Sequence, residues 1–409
     1  MKNLQFLFAQ NEKIRSKENR QKKQLKSVIR YLSKSNESLT IPEIAEHVRT
    51  SVPTGTKLVN ELVEQGLVLE QGKKETENGR KPSVYALNKN KFYTIGVEVL
   101  SKWIHVSVVR IDLETVHESF NREFRLKDTQ ACLDYVVSFI QKTIEESPAE
   151  LQQIIGVGIA LSGSVNGHTG VSADYFNKME LPLKSYLEAA LDLPTTIDND
   201  TRVIGIAEQV LGRANGVENV LVVKFSRNLG LSIILDKNMI FGASGFAGNL
   251  GHLQFGTKER LCTCGKRNCL RTEVSGEALF QDLKEALERG ATSIYFKKEA
   301  VDTYKYHDIL DAVLKGDALS LQLLIMQGDK LGQVLGNLIN LLNPNLIVLS
   351  GEIVMVGDLF IDAVKVGMRK TGLISTLKNC KVKTSQLGRY FSSRGAACMV
   401  LKNNELINY

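Results

Sequence analysis

The sequence predicts an α/β protein built from an N-terminal winged helix-turn-helix and a two-lobed body. Three observations carry this reading. All of the basic excess lies in the first 90 residues. Residues 22–87 follow a helix–helix–helix–strand–strand order. Sheet and helix patterns then alternate in two similar halves, as in layered α/β folds.

The basic excess is the first of these. Of 52 Lys and Arg and 45 Asp and Glu, residues 1–90 hold 17 and 10. The other 319 residues hold 35 of each. A neutral body with a basic head suits a module that meets a polyanion, whereas the plain alternative is a solvated charged helix.

The order of elements favours the module. Apolar Leu25, Val28, Ile29 and Leu32 recur at helical spacing. Thr40, Pro42 and Glu43 then form the start signal of a short helix over Ile41 to Val48. Thr50-Ser51-Val52-Pro53 restarts a helix that runs to about Gln65, where Gly66 ends it. Two strands follow, Leu67 to Glu70 and Ser83 to Leu87, as the two sides of a wing. The second helix of the pair should enter the major groove, with Thr50, Ser51, Thr54, Thr56, Lys57 and Asn60 as its polar candidates. The wing tip carries Gly79-Arg80-Lys81-Pro82, and Arg80 and Lys81 suit a phosphate or minor-groove contact. The expected partner is double-stranded operator DNA; a winged helix used for protein contacts is the alternative.

Asn88-Lys89-Asn90-Lys91 reads as a polar joint, which sets the domain boundaries at 1–88 and 89–409. Three strands are expected over Phe92–Leu100, Trp103–Asp112 and Thr115–Phe124, then a helix over Gln130–Glu146. Buried strands follow at Gln153–Leu161 and Pro194–Ile197, and a helix at Thr201–Leu211. The three-strand opening repeats at Asn219–Phe225, Leu229–Leu235 and Met239–Phe241. The helix Asp329–Leu342 has an apolar stripe that reads as core or as a dimer seam. No stretch approaches the roughly 18 apolar residues of a membrane span, and Leu4–Ala9 is too short for a signal peptide. The expectation is a cytoplasmic protein with no membrane insertion.

Six cysteines in 409 residues make no disulfide scaffold. Three of them, Cys262, Cys264 and Cys269, follow His252 closely. Three thiolates and an imidazole are a tetrahedral zinc set with no open position, hence structural. A redox trio or three buried thiols are the alternatives, although Lys266 and Arg267 make the segment hydrophilic. Cys132, Cys380 and Cys398 sit in apolar stretches and read as buried free thiols.

Gly245-Phe246-Ala247-Gly248-Asn249-Leu250-Gly251-His252 followed by Cys262 to Cys269 resembles the signature of the ROK family of repressors, open reading frames and sugar kinases. Asp198-Asn199-Asp200, Gly156 to Val165 and Asn343 to Gly351 resemble its sugar-site, strand-and-turn and late strand motifs, and Gly395-Ala396-Ala397 its C-terminal helix start. The resemblance covers about residues 92–401. It implies an actin-like, ribonuclease H-like two-lobed body. With the winged helix in front, the arrangement resembles the family's NagC/XylR-like repressors.

The departures from that pattern bear on activity. The kinases' Asp-x-Gly-Gly-Thr phosphate loop reads Glu98-Val99-Leu100-Ser101-Lys102 here, without glycine. Their second phosphate loop reads Ser226-Arg227-Asn228-Leu229-Gly230. Asp200 stands at the kinases' catalytic base, where it reads as a ligand hydroxyl acceptor or a helix N-cap. Family carboxylates are replaced at Asn249 and Arg271, and a family Asn at Arg202. The resemblance therefore implies Gly163, Asn199, Asp200, Asn249, His252 and Arg271 as effector residues. Two carboxylates lost and two guanidiniums gained would favour an acidic or phosphorylated sugar. The rival is a cleft that no longer binds sugar, with Arg271 paired to a neighbour such as Glu273. The expectation is a homodimeric or homotetrameric, non-enzymatic repressor of carbohydrate genes with a sugar effector. The alternatives are a sugar kinase with an appended DNA-binding head and a docking platform for transporter subunits.

Overall fold

The computed structural model describes residues 16–35, 37–74, 81–388 and 391–407. The chain divides into two compact units, 1–203 with 392–408 and 204–391 with 409.

The first unit begins with α1 (Ser16–Lys34), whose buried stripe is Leu25, Val28, Ile29 and Leu32. A short strand β1 (Leu39–Thr40) leads into α2 (Ile41–His47). Thr40 caps α2: its backbone N–H donates to Glu43 Oε2 at 2.7 Å, and its Oγ1 accepts from the Glu43 N–H at 3.5 Å. Arg49, in the left-handed region at φ 55°, turns the chain into α3 (Val52–Glu64), which Ser51 caps. A Cβ on Gly55 would stand 2.8 Å from Ala45 Cβ, so α2 and α3 cross at a glycine. Strands β2 (Val68–Lys73) and β3 (Ser83–Leu87) pair antiparallel, and β1 joins the free edge of β3. The predicted wing tip at Gly79 and Arg80 lies outside the described residues.

The expected polar joint is more than a linker. Asn88 Nδ2 donates to Gly66 O at 3.0 Å, and Lys89 Nζ lies 3.3 Å from Asp112. Phe92 is fully buried. It belongs to one apolar cluster with Leu25, Ile29, Leu62 and Leu87 of the winged helix and Ile111, Ile155, Val400, Leu401 and Leu406 of the body. Apolar burial, not a tether, holds the winged helix to the rest of its unit.

That rest is a five-stranded sheet. Strands β4 (Tyr93–Leu100), β5 (Trp103–Arg110) and β6 (Thr115–Asn121) form an antiparallel meander. After α4 (Gln130–Glu145), β7 (Ile154–Leu161) runs parallel to β4 with Val97 opposite Ile159. A small hairpin of β8 (Val165–Asn166) and β9 (Val171–Ser172) and helix α5 (Leu183–Leu191) precede β10 (Thr195–Asn199), parallel to β7. The order is β10-β7-β4-β5-β6. The C-terminal helix Ser392–Asn403 lies on this sheet, and a Cβ on Gly96 or Gly158 would run into its Ser393 and Ala396 carbonyls.

Helix α6 (Asp200–Leu211) leads into the second unit, which repeats the plan. Strands β11 (Val220–Phe225), β12 (Leu229–Leu235) and β13 (Asn238–Met239) form the meander. Helices α7 (Gly276–Glu288), α8 (Tyr306–Leu314) and α9 (Ala318–Leu342) follow. Strand β14 (Leu346–Ser350) pairs parallel with β11. After α10 (Asp358–Thr371) and α11 (Ile374–Leu377), β15 (Lys381–Thr384) pairs parallel with β14. The order β13-β12-β11-β14-β15 matches the first unit strand for strand.

The stripe on α9 is core: Leu331, Val334 and Leu335 are buried. Helix α10 packs directly on it through glycine. A Cβ at Gly332 would run into the Val364 carbonyl, and one at Gly367 into that of Asp329. A Gly332→Ala variant should therefore lose about 1–3 kcal/mol through overpacking, despite alanine's better helix propensity. Urea unfolding checks this; an unchanged or raised midpoint would show that the two helices are not held this closely.

Candidate nucleic-acid interface, ligand residues and metal centre

The N-terminal surface of α3 is shaped by its Ser51 cap. Ser51 is exposed and accepts from the Thr54 N–H at 3.4 Å, while its hydroxyl lies 2.9 Å from Thr54 Oγ1. Thr56 Oγ1 donates to Val52 O at 2.9 Å. Ser51, Thr54 and Thr56 thus serve the helix as well as facing outward. Lys57 and Asn60 are exposed, with Val52 and Pro53 beside them, and Thr50 is half-buried. Lys81 is exposed at the wing, and Arg80 falls outside the described residues. Lys74, in the wing, pairs with Glu43 of the α2 capping box at 2.7 Å. This link between wing and helix spans 31 residues and left no sequence signal.

In the first unit, three ligand candidates come together. Gly163 adopts φ 98°, and its carbonyl accepts from Asn199 Nδ2 at 2.7 Å. Asn199 Oδ1 accepts from the backbone N–H groups of Thr201 at 2.9 Å and Arg202 at 3.3 Å. The N-cap of α6 is therefore Asn199, which corrects the alternative that placed Asp200 there. Asp200 is buried at 7% exposure and accepts from Thr201 Oγ1 at 3.3 Å. Arg202 also differs from expectation. It is buried at 3% exposure, donates from Nε to Asp198 Oδ1 at 2.8 Å, and donates from Nη2 to the same oxygen and to Val165 O. Its charge is matched by Asp198 and is not presented to a ligand.

Asn249, His252 and Arg271 lie in the second unit. Asn249 Nδ2 donates to Phe246 O at 3.0 Å, and its carbonyl accepts from the His252 N–H at 3.0 Å. Arg271 does not pair with Glu273. It donates to Thr263 Oγ1 at 3.1 Å and to Asn228 Oδ1 at 2.5 Å, both neutral. Glu273 is buried and holds Lys330, together with the backbone N–H groups of Thr257 and Lys258.

Both stretches that replace the phosphate loops are internally bonded. Glu98 is buried at 2% exposure and accepts from Trp103 Nε1 at 2.9 Å. In the turn after β11, the Ser226 and Arg227 carbonyls accept the Gly276 and Glu277 N–H groups at 2.7 and 3.2 Å. Those are first-turn amides of α7, the groups that a phosphate would otherwise use. Arg227 in turn pairs with Glu277 at 2.8 Å.

The donor atoms of His252, Cys262, Cys264 and Cys269 all lie within 4.8 Å of one another. Cys262 Sγ is 3.7 Å from His252 Nδ1, and Cys264 Sγ is 3.6 Å from Cys269 Sγ. A tetrahedral ion at a metal–sulfur distance of about 2.3 Å spaces its ligands about 3.8 Å apart, so the set fits. A tight turn shapes it: the Cys262 N–H donates to Lys266 O at 2.8 Å, and Gly265 sits at φ 84°. Burial and the neighbouring thiols push Cys269 up to about 12, while the Lys266 backbone N–H draws Cys264 down. Thiol crowding thus opposes ionisation at Cys269, and a cation would relieve this. The cluster is able to hold a metal ion. Its loop is also anchored from outside, because Lys258 and Arg260 reach Asp282 of α7 at 2.5 and 2.7 Å. Of the other thiols, Cys132 and Cys398 are buried as expected and Cys380 only partly.

The Lys74 ammonium beside Glu43, with the Thr40 N–H and hydroxyl, draws that carboxyl down to about 2. Its folded pKa is depressed, so its contribution to stability is present above the ordinary carboxyl range. The contribution fades as pH falls toward 2. NMR titration should place Glu43 near 2 and closer to its ordinary value in Lys74→Met. A wild-type value in that variant would remove the wing-to-helix link.

Comparison with known proteins adds to this geometry. Residues 94–403 match the model of the ROK family. The xylose repressor of Caldicellulosiruptor bescii is 25% identical over 370 residues, 90% of this chain and 93% of that protein. A ROK family transcriptional regulator homologous to the Escherichia coli MLC protein has the same fold, with a TM-score of 0.79 at 22% identity over 94% of this chain and 98% of that one. A ROK family glucokinase from Streptomyces griseus, solved with glucose and AMPPNP, gives a TM-score of 0.64 at 23% identity over 98% of its own length but only 75% of this chain. The family match spans both five-stranded sheets, both sets of ligand candidates and the histidine-cysteine cluster: this chain belongs to the ROK family.

Proposed function

We propose that this chain is a DNA-binding transcriptional repressor of carbohydrate genes. Residues 1–88 read the operator, and residues 89–409 sense an effector and self-associate as a homodimer or homotetramer. One observation carries this reading: an exposed, basic winged helix shares a single apolar core with a ROK-type body. A helix-turn-helix and wing read duplex through a helix in the major groove, phosphate contacts and a wing. The name of the xylose repressor, which this chain resembles over most of both lengths, supports the same reading.

The body senses without phosphoryl transfer. Trp103 occupies Glu98, and the α7 amides are already bonded to Ser226 and Arg227. Phosphoryl transfer depends on positioning a nucleotide's phosphates, and both stretches are committed elsewhere. Gly163, Asn199 and Asp200 on one unit, and Asn249, His252 and Arg271 on the other, are the effector residues. Arg271 is the guanidinium whose partners are neutral, and it supports an acidic or phosphorylated sugar. Zinc is the ion of the His252, Cys262, Cys264 and Cys269 set, because three sulfurs and one nitrogen select it, and its role is structural.

Three measurements check these readings. Binding of the purified protein to duplex DNA should fall steeply with salt, and Arg80→Ala with Lys81→Ala should flatten the slope by about 0.9 for each phosphate that is no longer neutralised. An unchanged slope removes the wing. A coupled ADP-release assay over a hexose panel should show no turnover; robust turnover restores the kinase reading. Plasma mass spectrometry should find one zinc per chain, lost in Cys262→Ser; a metal-free wild type that is fully folded would refute zinc.

A further inference from the structure

A cavity of about 340 Å³ opens on the winged helix, lined by Arg30, Tyr31, Lys34, Ser35 and His47. None of the five is acidic. Arg30 and Lys34 lie one turn apart near the C-terminal end of α1, and His47 is the last residue of α2. The Tyr31 and His47 rings stack at 3.6 Å between centroids, 7° from parallel, which fixes one wall. Arg30 is held from behind: Nη1 donates to Glu405 O at 3.4 Å and Nη2 to Ser27 Oγ at 3.5 Å. The Ser35 hydroxyl donates to Glu37 O at 2.6 Å and so orders the rim.

The simple explanation of this basic charge is the helix dipole. Two helix C-termini meet here, and each carries roughly half a negative charge. Together they offset about one cation, while Arg30 and Lys34 supply two before His47 is counted. Two cationic side chains and an imidazole thus line a concave, partly pre-ordered site.

We infer that this cavity is a phosphate-binding site. Guanidinium and ammonium groups beside an imidazole are side chains that hold phosphate oxygens. The volume admits a phosphate group together with part of what it is attached to. Two sources supply that chemistry. One is a phosphodiester of duplex DNA, because His47 stands only four residues before Ser51, the cap of the groove helix. The other is a free phosphorylated metabolite. The DNA source rests on the repressor reading; the site itself does not.

The full-length protein tests this with three variants. Lys34→Glu and Arg30→Gln alter the cavity, and Lys378→Glu makes the same charge change as Lys34→Glu on an exposed position of the second unit. Circular dichroism confirms that each folds. Affinity for a random-sequence 40-bp duplex is followed against salt, and calorimetry follows inorganic phosphate and adenosine monophosphate. If DNA phosphate is the occupant, Lys34→Glu and Arg30→Gln each lower the slope by about 0.9, and Lys378→Glu leaves it unchanged. If a metabolite is the occupant, wild type binds phosphate or the nucleotide, and both cavity variants lose tenfold or more in affinity. Wild type that ignores duplex but binds phosphate through Lys34 sinks the repressor reading and keeps the site. Cavity variants that match Lys378→Glu in both assays overturn the inference.

Discussion

The apolar cluster around Phe92 is the constraint on which the rest depends. Winged-helix residues Leu25, Ile29 and Leu62 meet Ile111, Ile155, Val400 and Leu401 there, with no gap of solvent or linker between. Each fully buried aliphatic or aromatic side chain contributes roughly 1.5–3 kcal/mol. A joint of that kind does not swing freely. The head and its sheet share one core, so a change in the sheet bears directly on the winged helix. The C-terminal helix is the element in common. Its first turn lies against Gly96 of the sheet, and its last turn feeds Val400 and Leu401 into the winged-helix core.

The second unit is organised differently, around glycine and charge. Helices α9 and α10 approach through Gly332 and Gly367, where any side chain would collide with a carbonyl. The metal loop is held twice. Its inner edge gathers four ligand atoms, and its outer edge is pinned to Asp282 and Glu273 by Lys258, Arg260 and the loop's own amides. A buried carboxylate is tolerated only when its lone pairs are satisfied, and Asp282 meets Lys258, Arg260 and Gln327. An ion in the centre would join two ends of a loop whose base is already fixed, which is the task of a structural site.

Much of this was legible in the sequence, and the exceptions have a common cause. The winged helix was readable because its signals are local: the Thr40–Glu43 box, the Ser51 cap and the Gly66 stop act within four residues. The meander in each unit was visible from short turns between apolar runs. The histidine-cysteine cluster was readable because its thiol spacing is specific. Contacts between distant residues were not. Glu273 finds Lys330, 57 residues away, and so leaves Arg271 to Asn228 and Thr263. Helices α7, α8 and α10 went unread because their burial is decided by neighbours far along the chain. Two side-chain placements had a local signal. Asn199, one residue before Asp200, is an equally good cap type, and Asp198 stands four residues before Arg202.

In the proposed repressor the basic head reads duplex sequence while the ROK-type body controls it. The most direct measurement is sequencing of genomic fragments from the source organism retained by the purified full-length protein at physiological salt. The expected result is a few discrete, two-fold symmetric sites near carbohydrate genes, released when the cognate sugar is added. Retention spread evenly over the genome, or none at all, would contradict it.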